Sequence, residues 1–305
     1  SNIVLKDLII HHTEETGINF CGNIKNIQVE NLHIHHTGAA AISAPSAEGG
    51  RGWENVLISS CIFEYAGLYS NGKEKKSDWD RPDGIGFENS EGPVEIKNTI
   101  SRFNFGDGID SKSKNTYIHK CTVANNFGDG VKLWGGGSKV ENTLVFGTGF
   151  MEKGEETPWC LLVIETENIN GDFEIINSTF FDDENRANKH YSMTVQYDNS
   201  NVPINLTLRN NIIAGLSRAF IREKVKLTLE NNLFFNREDD NGIQIEYGDN
   251  LISEKNLSSF GKNNFYGNPE FINPKWGPDG NFHLKQNSPA IDKGNVDICP
   301  ETDQR

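Results

Sequence analysis

Short runs in which apolar and polar residues alternate recur along the whole chain, punctuated by Asn, Gly and Asp. Representative units are NIKNIQVENLHIHHTGAAAI, NTYIHKCTVANNFGDGVKL and VKLTLENNLFFNREDDNGIQI. A period of two is the signature of β-strands, and Asn and Gly mark the places where the chain must bend. No segment shows a 3.6-residue apolar stripe, so the pattern predicts an all-β protein. Strand-rich segments begin near Ile3, Ile24, Val56, Val94, Tyr117, Val140, Phe173, Ile204 and Val225, which gives about eight or nine repeats. Repeats this short are one coil of a solenoid rather than a domain. The predicted fold is a parallel β-helix over residues 1–250. Beyond that the repeat fades and Pro and Gly rise, so residues 251–305 are expected to form a C-terminal cap covering the open end of the solenoid, whose last coil otherwise offers an unpaired edge. Asn104, Asn126, Asn210 and Asn231, repeated at bends, are expected to stack into hydrogen-bonded ladders.

Three segments superimpose and define a site. Residues 82–87 read PDGIGF, residues 106–111 read GDGIDS and residues 128–133 read GDGVKL, so the frame x-Asp-Gly-(Ile/Val)-x-x recurs after 24 and then 22 residues. In a parallel β-helix, equivalent positions of successive coils stack about 4.8 Å apart. Asp83, Asp107 and Asp129 then form one column, and Gly86, Asp110 and Lys132 the column three residues on. Strict alternation would send residues three apart to opposite faces. A bend at the Asp-Gly step turns both columns into one groove. Two insertions flank it, at 68–82 and 149–159, and are expected to form its walls.

Composition narrows the function. The 305 residues carry 35% hydrophobic residues and 30 glycines, which suits a narrow core with frequent turns. The net charge of −14 argues against nucleic acid as partner. It is also unfavourable overall for an acidic polysaccharide, yet residues 101–140 hold six Lys/Arg against three acids, so that stretch turns strongly positive if a cation occupies the acids. No apolar run is long enough to span a membrane, and no basic-then-apolar leader is visible. The chain starts inside a repeat, so a signal peptide, a cap or an upstream domain is expected to precede it. The expected setting is secreted, periplasmic or cell-surface, as a monomer. Five widely spaced cysteines without a C-x-x-C pair argue against zinc bound by thiolates, and Cys61 and Cys121, at core-facing strand positions, read as buried free thiols.

Carboxylates converging in one groove persist at neutral pH only with a compensating cation or with shared protons. Oxygen-only ligands with room for water favour Ca²⁺, with Asp83, Asp107 and Asp110 as ligands and Asp129 as a fourth or as a partner of Lys132. Beside a bound dication the Lys132 ammonium is disfavoured, its pKa should fall, and the free amine can act as general base. A metal on a carboxylate next to a strong base is what removal of the proton α to that carboxylate requires. The plainer alternatives are that Asp-Gly pairs only make turns, and that Lys132 is only the ion-pair partner of Asp110.

NFGDGIDSK and NNFGDGVKLWGGG resemble the calcium and base motifs of the family 9 pectate lyases. The resemblance covers roughly residues 80–137. It implies a right-handed parallel β-helix, cleavage of pectic polysaccharide by β-elimination, Ca²⁺ on aspartates and a lysine base at Lys132. Two departures stand out. Trp134 replaces a glycine of the base motif, and Gly106 stands where the family's Asp-Asp-Gly-x-Asp has its first aspartate. The tail FHLKQNSPAIDKG separately resembles the end segment of many secreted bacterial β-helix proteins. In this reading Lys132 takes the C5 proton of a uronic acid, and Arg81, Arg102, Lys112 and Trp134 bind the acidic polysaccharide. The alternatives are a non-catalytic polysaccharide-binding β-helix with a structural Ca²⁺ site, or a glycosidase or epimerase on the same scaffold; a glycosidase needs two carboxylates and no lysine.

A second cluster lies elsewhere. His11-His12 and His35-His36 fall in register, followed by Glu64-Tyr65 in the next coil. A transition metal is one reading; a solvent-facing ladder is the preferred one. Arg102 falls in the same column.

Overall fold

The structure is a computed structural model. It describes all residues except 1, 45–52, 150–158, 167–170, 183–190, 198–202, 216, 237–241, 276, 278 and 300–305. The described residues build three long parallel sheets. Sheet A has nine strands, from Ile3–Lys6 to Lys226–Glu230, and sheet B has ten, from Ile9–Thr13 to Phe265–Tyr266. Sheet C also has ten, from Ile18–Asn19 to an antiparallel closing strand, Asn250–Ser253. Each coil contributes one strand to A, then B, then C, which is the predicted parallel β-helix. The nine strands of sheet A start within two residues of the predicted positions.

Period two decides which side chains enter. In sheet A, Ile96 pairs with Ile118, Ile118 with Val140, Val140 with Ile175 and Ile175 with Leu208. All are buried. Like residues therefore stack on like along the axis. Each such side chain contributes about 1.5–3 kcal/mol by leaving water.

The A–B bend is two residues long and repeats with little change. Its first residue adopts a left-handed conformation: Asn31, Ser60, Asn98, Lys120, Asn142, Asn177, Asn210 and Asn231 have φ between 45° and 57°. Asparagine tolerates this region better than most residues. Its second residue turns inward and accepts a backbone N–H from the preceding coil. Cys121 N donates to Thr143 Oγ1 (3.4 Å), Thr143 N to Ser178 Oγ (3.1 Å), and Ser178 N to Asn211 Oδ1 (3.0 Å). Asn211 N donates to Asn232 Oδ1 and Asn232 N to Asn264 Oδ1, each at 3.0 Å. The inner ladder is thus one residue beyond the predicted Asn210 and Asn231, which occupy the left-handed position instead. Asn104 and Asn126 do stack as predicted, Nδ2 to Oδ1 at 3.0 Å, inside the B–C bend. Cys61 and Cys121 are buried free thiols, as expected.

The C-terminal segment first closes the solenoid and then turns back along its side. The end of the solenoid is closed by the Asn250–Ser253 strand and a 3₁₀ turn, Leu257–Ser259, with Leu257 buried. The tail beyond runs back along the outside of sheet B. Phe271 and Phe282 pack on Ala124, Phe146, Phe181 and Ala214, and Asn295 exchanges hydrogen bonds with Asn210. The reason lies in one outward column of sheet B. It is polar in the early coils (His35, Glu64, Arg102) and apolar from Ala124 through Phe146, Phe181 and Ala214. An apolar strip facing water is costly, and the tail covers it. A cavity of about 710 Å³ remains between the tail and the A–B bends. It contains none of the aspartate–lysine residues, so chemistry rather than volume locates the candidate site. No helix of the described residues is long and apolar enough to cross a membrane.

Candidate functional site

The strands Ile85–Phe87, Ile109–Ser111 and Val131–Leu133 lie side by side in sheet C. Gly86 pairs with Asp110 and Asp110 with Lys132, as the repeat predicts. Ile85, Ile109 and Val131 point into the core, so Asp110 and Lys132 point out. Asp83, Asp107 and Asp129 sit two residues before these strands. Between them and the strands stand Gly84, Gly108 and Gly130, packed against the inner bend. A Cβ on Gly84 would lie 2.1 Å from Ser101 Oγ, and one on Gly108 2.3 Å from Val123 Cγ1. Close approach, not an unusual φ, requires glycine there.

The aspartates form a ladder. Asp107 N donates to Asp83 Oδ1 (2.8 Å), Asp129 N to Asp107 Oδ1 (2.7 Å) and Cys160 N to Asp129 Oδ1 (2.6 Å). One oxygen of each carboxylate therefore serves the backbone. Lys132 Nζ lies 3.6 Å from Asp107 Oδ2 and 3.9 Å from Asp110 Oδ2, so both columns face one groove. Asp107, Asp110 and Asp129 are buried. Asp110 Oδ1 is buried with no hydrogen-bond partner.

This packing makes the acids poor acids. Burial, and then the Asp107 carboxylate, push Asp110 up to about 7 and Asp129 up to about 8. Asp83 is raised well above the usual carboxylate range by burial and then by Asp107 and Asp110, and burial raises Asp107. Lys132, whose pKa is expected to fall beside a bound dication, is pushed the other way by the ion-free cluster. Burial pulls its pKa down, but the Asp107, Asp110, Asp129 and Asp83 carboxylates outweigh burial and raise it. Without a metal, the four carboxylates favour the ammonium form of Lys132.

Calcium needs several oxygens about 2.3–2.6 Å from one point. The partnerless Asp110 Oδ1 would suit such an ion. Among the described residues, the group of three His, Cys, Asp or Glu ligand atoms that all lie within 4.8 Å of one another is His12, His36 and Glu74, not the aspartates. The missing paired aspartate has a structural cause. A Cβ on Gly106 would lie 2.1 Å from Arg81 O and 2.6 Å from Asp83 Oδ1, so no side chain fits.

The walls combine expected and unexpected residues. Lys112 Nζ bonds Glu88 Oε1 (2.5 Å), and both Lys112 and Lys132 lie 5.8 Å from the Trp134 ring, whose Nε1 is buried without a partner. On the other side the Arg81 guanidinium sits over Trp159 at 4.8 Å. Phe105 and Phe127 stack at 4.8 Å beside the aspartate ladder, with Lys76 over Phe105 at 3.9 Å. Phe105, Phe127 and Trp159 escaped the sequence reading, although the repeat Asn-Phe-Gly-Asp-Gly carries two of them. The 68–82 insertion supplies Lys76 and Arg81 to this wall. Most of the second insertion, residues 150–158, lies outside the described residues. Arg102 falls in the column of His35 and Glu64, as expected, and not among the residues of this groove. It belongs to sheet B, where Glu64 Oε2 accepts its Nε–H at 2.7 Å and Glu64 Oε1 also bonds His33. A strand-B position points away from the sheet-C groove, so Arg102 is not part of it.

Comparison with known proteins bears on the fold. Residues 1–146 match the family described as right handed beta helix region. No curated protein matches the chain in sequence. Among solved structures it is similar to the A-module of the Azotobacter vinelandii mannuronan C-5 epimerase AlgE4, with a TM-score of 0.53 and 11% identity. The match covers 90% of this chain, which spans 62% of the length of that one. The fold is a right-handed parallel β-helix; at this identity the likeness speaks for fold alone.

Proposed function

We propose that the sheet-C groove acts on a polysaccharide containing uronic acids and removes the proton at C5, next to the carboxylate. One observation carries the reading: an ammonium, Lys132, held between Asp107 Oδ2 and Asp110 Oδ2, with the second Asp110 oxygen unpartnered. Removing a proton α to a carboxylate needs a cation on that carboxylate and a base near the carbon. Lys132 supplies the cation. Asp110, raised to about 7, is a base matched to neutral pH. These roles reverse the sequence-based assignment, in which Ca²⁺ neutralised the carboxylate and Lys132 took the proton. Lys112, Arg81 and Trp134 line the approach and suit an acidic sugar chain. A polymeric substrate is consistent with the expected secreted, periplasmic or cell-surface setting.

The resulting enolate has two fates. Loss of O4 gives a 4,5-unsaturated sugar, the lyase outcome implied by the pectate-lyase resemblance. Return of a proton to the opposite face gives the C5 epimer, and the similarity to a protein named a mannuronan C-5 epimerase supports that second outcome. Both begin with the same proton transfer.

The test is a panel of uronic-acid polymers incubated with the protein in D₂O, with and without chelator. Deuterium at C5, read by NMR, reports either fate; new ultraviolet absorbance reports only elimination. Activity retained in chelator is the expected result. Activity lost in chelator and restored by Ca²⁺ but not by Zn²⁺ returns the base role to Lys132. Binding of a polymer with no exchange and no absorbance leaves the polysaccharide-binding module as the function.

A further inference from the structure

The N-terminal coils carry a second cluster, on sheet B rather than sheet C. The predicted histidine ladder is present. His11 stacks on His35 at 5.2 Å and His12 on His36 at 5.3 Å, nearly coplanar in both pairs. His12 and His36 occupy the left-handed conformation (φ 54° and 53°). This kink turns each toward its chain neighbour, so His11 Nδ1 and His12 Nδ1 are 2.7 Å apart, and His35 Nδ1 and His36 Nδ1 are 2.8 Å apart. Glu64, the acid expected to join them, is engaged by His33 and Arg102 instead. The acid that arrives is Glu74, from the inserted segment. His12 Nε2 lies 3.0 Å from Glu74 Oε1, and His36 Nε2 lies 3.9 Å from Glu74 Oε2.

The geometry points to a binding site for a first-row transition-metal dication, Zn²⁺ in the first place, formed by His12 Nε2, His36 Nε2 and a Glu74 oxygen. Ligand atoms of these three residues all fall within 4.8 Å of one another. Tetrahedral Zn²⁺ with bonds of about 2.0–2.1 Å has ligand atoms about 3.3 Å apart, so the ion would draw the stacked His12 and His36 rings toward each other and the exposed Glu74 side chain toward both. Two imidazoles and one carboxylate select zinc over calcium or magnesium and leave a fourth position for water.

The Nδ1 contacts make the histidines suitable ligands. Two Nδ1 atoms at hydrogen-bond distance require that one carries the proton and the other does not. A proton on Nδ1 of His12 and of His36, donated to His11 and His35, leaves both Nε2 lone pairs free and fixes the ring orientations. Glu74 is delivered just as firmly. A tight turn at Asn71 and Gly72 precedes it, closed by the Ser70–Lys73 bridge, and Glu14 accepts the N–H groups of Asn71 (2.9 Å) and Gly72 (2.8 Å). The ion would staple this inserted segment to the first two coils. The same segment runs on through Arg81 to Asp83 at the start of the aspartate ladder.

The experiment is calorimetric titration of the tag-free chain with Zn²⁺, Ca²⁺ and Mg²⁺, together with visible absorption of the Co²⁺ form. The expected result is one Zn²⁺ per chain, bound far more tightly than Ca²⁺ or Mg²⁺, with Co²⁺ d–d bands of a tetrahedral site. Glu74→Gln and His12→Ala should each weaken Zn²⁺ binding at least about tenfold, and His11→Ala should weaken it by a smaller but measurable factor as ring orientation is lost. Circular dichroism confirms folding of each variant, and Glu74→Gln, at an exposed side chain, is the safest of them. His119→Ala, in sheet A, should bind as wild type. Absence of stoichiometric Zn²⁺ binding, or binding unchanged in both Glu74→Gln and His12→Ala, reduces the cluster to an ion pair and overturns the site.

Discussion

Two ladders run along this β-helix, and they use the same device. In the A–B bend, Asn211, Asn232 and Asn264 each present Oδ1 to the coil before. In the B–C bend and sheet C, Asp83, Asp107 and Asp129 present Oδ1 to the coil after. The asparagine ladder is neutral and closed. Asn232 Oδ1 takes both the backbone N–H and the Nδ2–H of Asn211, while its own Nδ2 donates to Leu208 O (2.8 Å) and Asn264 Oδ1 (3.0 Å). The aspartate ladder satisfies the same backbone groups but leaves charge over. Its spare oxygens and Asp110 are held near Lys132, and Asp110 Oδ1 has no partner. Stacking alone is architecture; stacking with unbalanced charge is a site. The contrast is what a functional cluster costs, since buried carboxylates are held against their preference for water.

The largest expected effects test the charged ladder. Lys132→Ala and Asp110→Asn should each lower turnover by about 10²–10⁴-fold, the usual contribution of a positioned proton-transfer partner. Lys132→Arg should keep a measurable fraction, because guanidinium still pairs with a carboxylate. The wild-type rate should rise with pH through about 7, as Asp110 ionises. A dead Lys132→Arg enzyme whose wild-type rate keeps rising well above pH 8 would instead make Lys132 the base.

The neutral ladder should answer in stability alone. Asn232→Ala strands the donors of Asn211 in a dry bend, and denaturant unfolding should show a loss of about 3 kcal/mol. Unchanged stability would mean that the ladder is ornamental. Gly106→Asp, which introduces the aspartate found in the pectate-lyase motif, should cost about 1–3 kcal/mol through overpacking against Arg81 O. Calorimetry should show no gain in Ca²⁺ affinity; a gain would show that the backbone yields and that the chelate forms.

The smallest effect has the opposite sign. Asp129→Asn retains an Oδ1 for Cys160 N and removes a buried charge. The folded-state pKa of Asp129 is about 8, above its unfolded value, so wild type gains from the protonated group at low pH and loses that gain as pH rises toward 8. The variant should melt about 2–4 °C higher at pH 8 and no higher near pH 4. A lower melting temperature at pH 8 would show that Asp129 is held as a paired anion.

Much of this was legible in the sequence because a β-helix repeats its local rule in every coil. Period-two runs located nine sheet-A strands within two residues, and the 24- and 22-residue spacings placed Asp110 beside Lys132. What escaped was lateral. Arg102 follows the column pattern, but nothing local reveals that Glu64 in the preceding coil claims it. Asn210 and Asn211 are identical letters, and only backbone handedness decides which faces inward. The tail read as an end cap because its destination depends on an apolar strip formed by four separate coils.

The sequence by itself determined the parallel β-helix, its coil boundaries and the columns of aspartate, glycine and lysine, since each follows from periodicity and from residues fit for bends. Only the tertiary structure decided the charge on Lys132, which depends on four carboxylates from three coils outweighing burial. It also decided that Gly106 cannot carry a side chain, because Arg81 O comes within reach only after folding. And it alone brought Glu74 to His12 and His36, by a turn whose reach no spacing rule encodes.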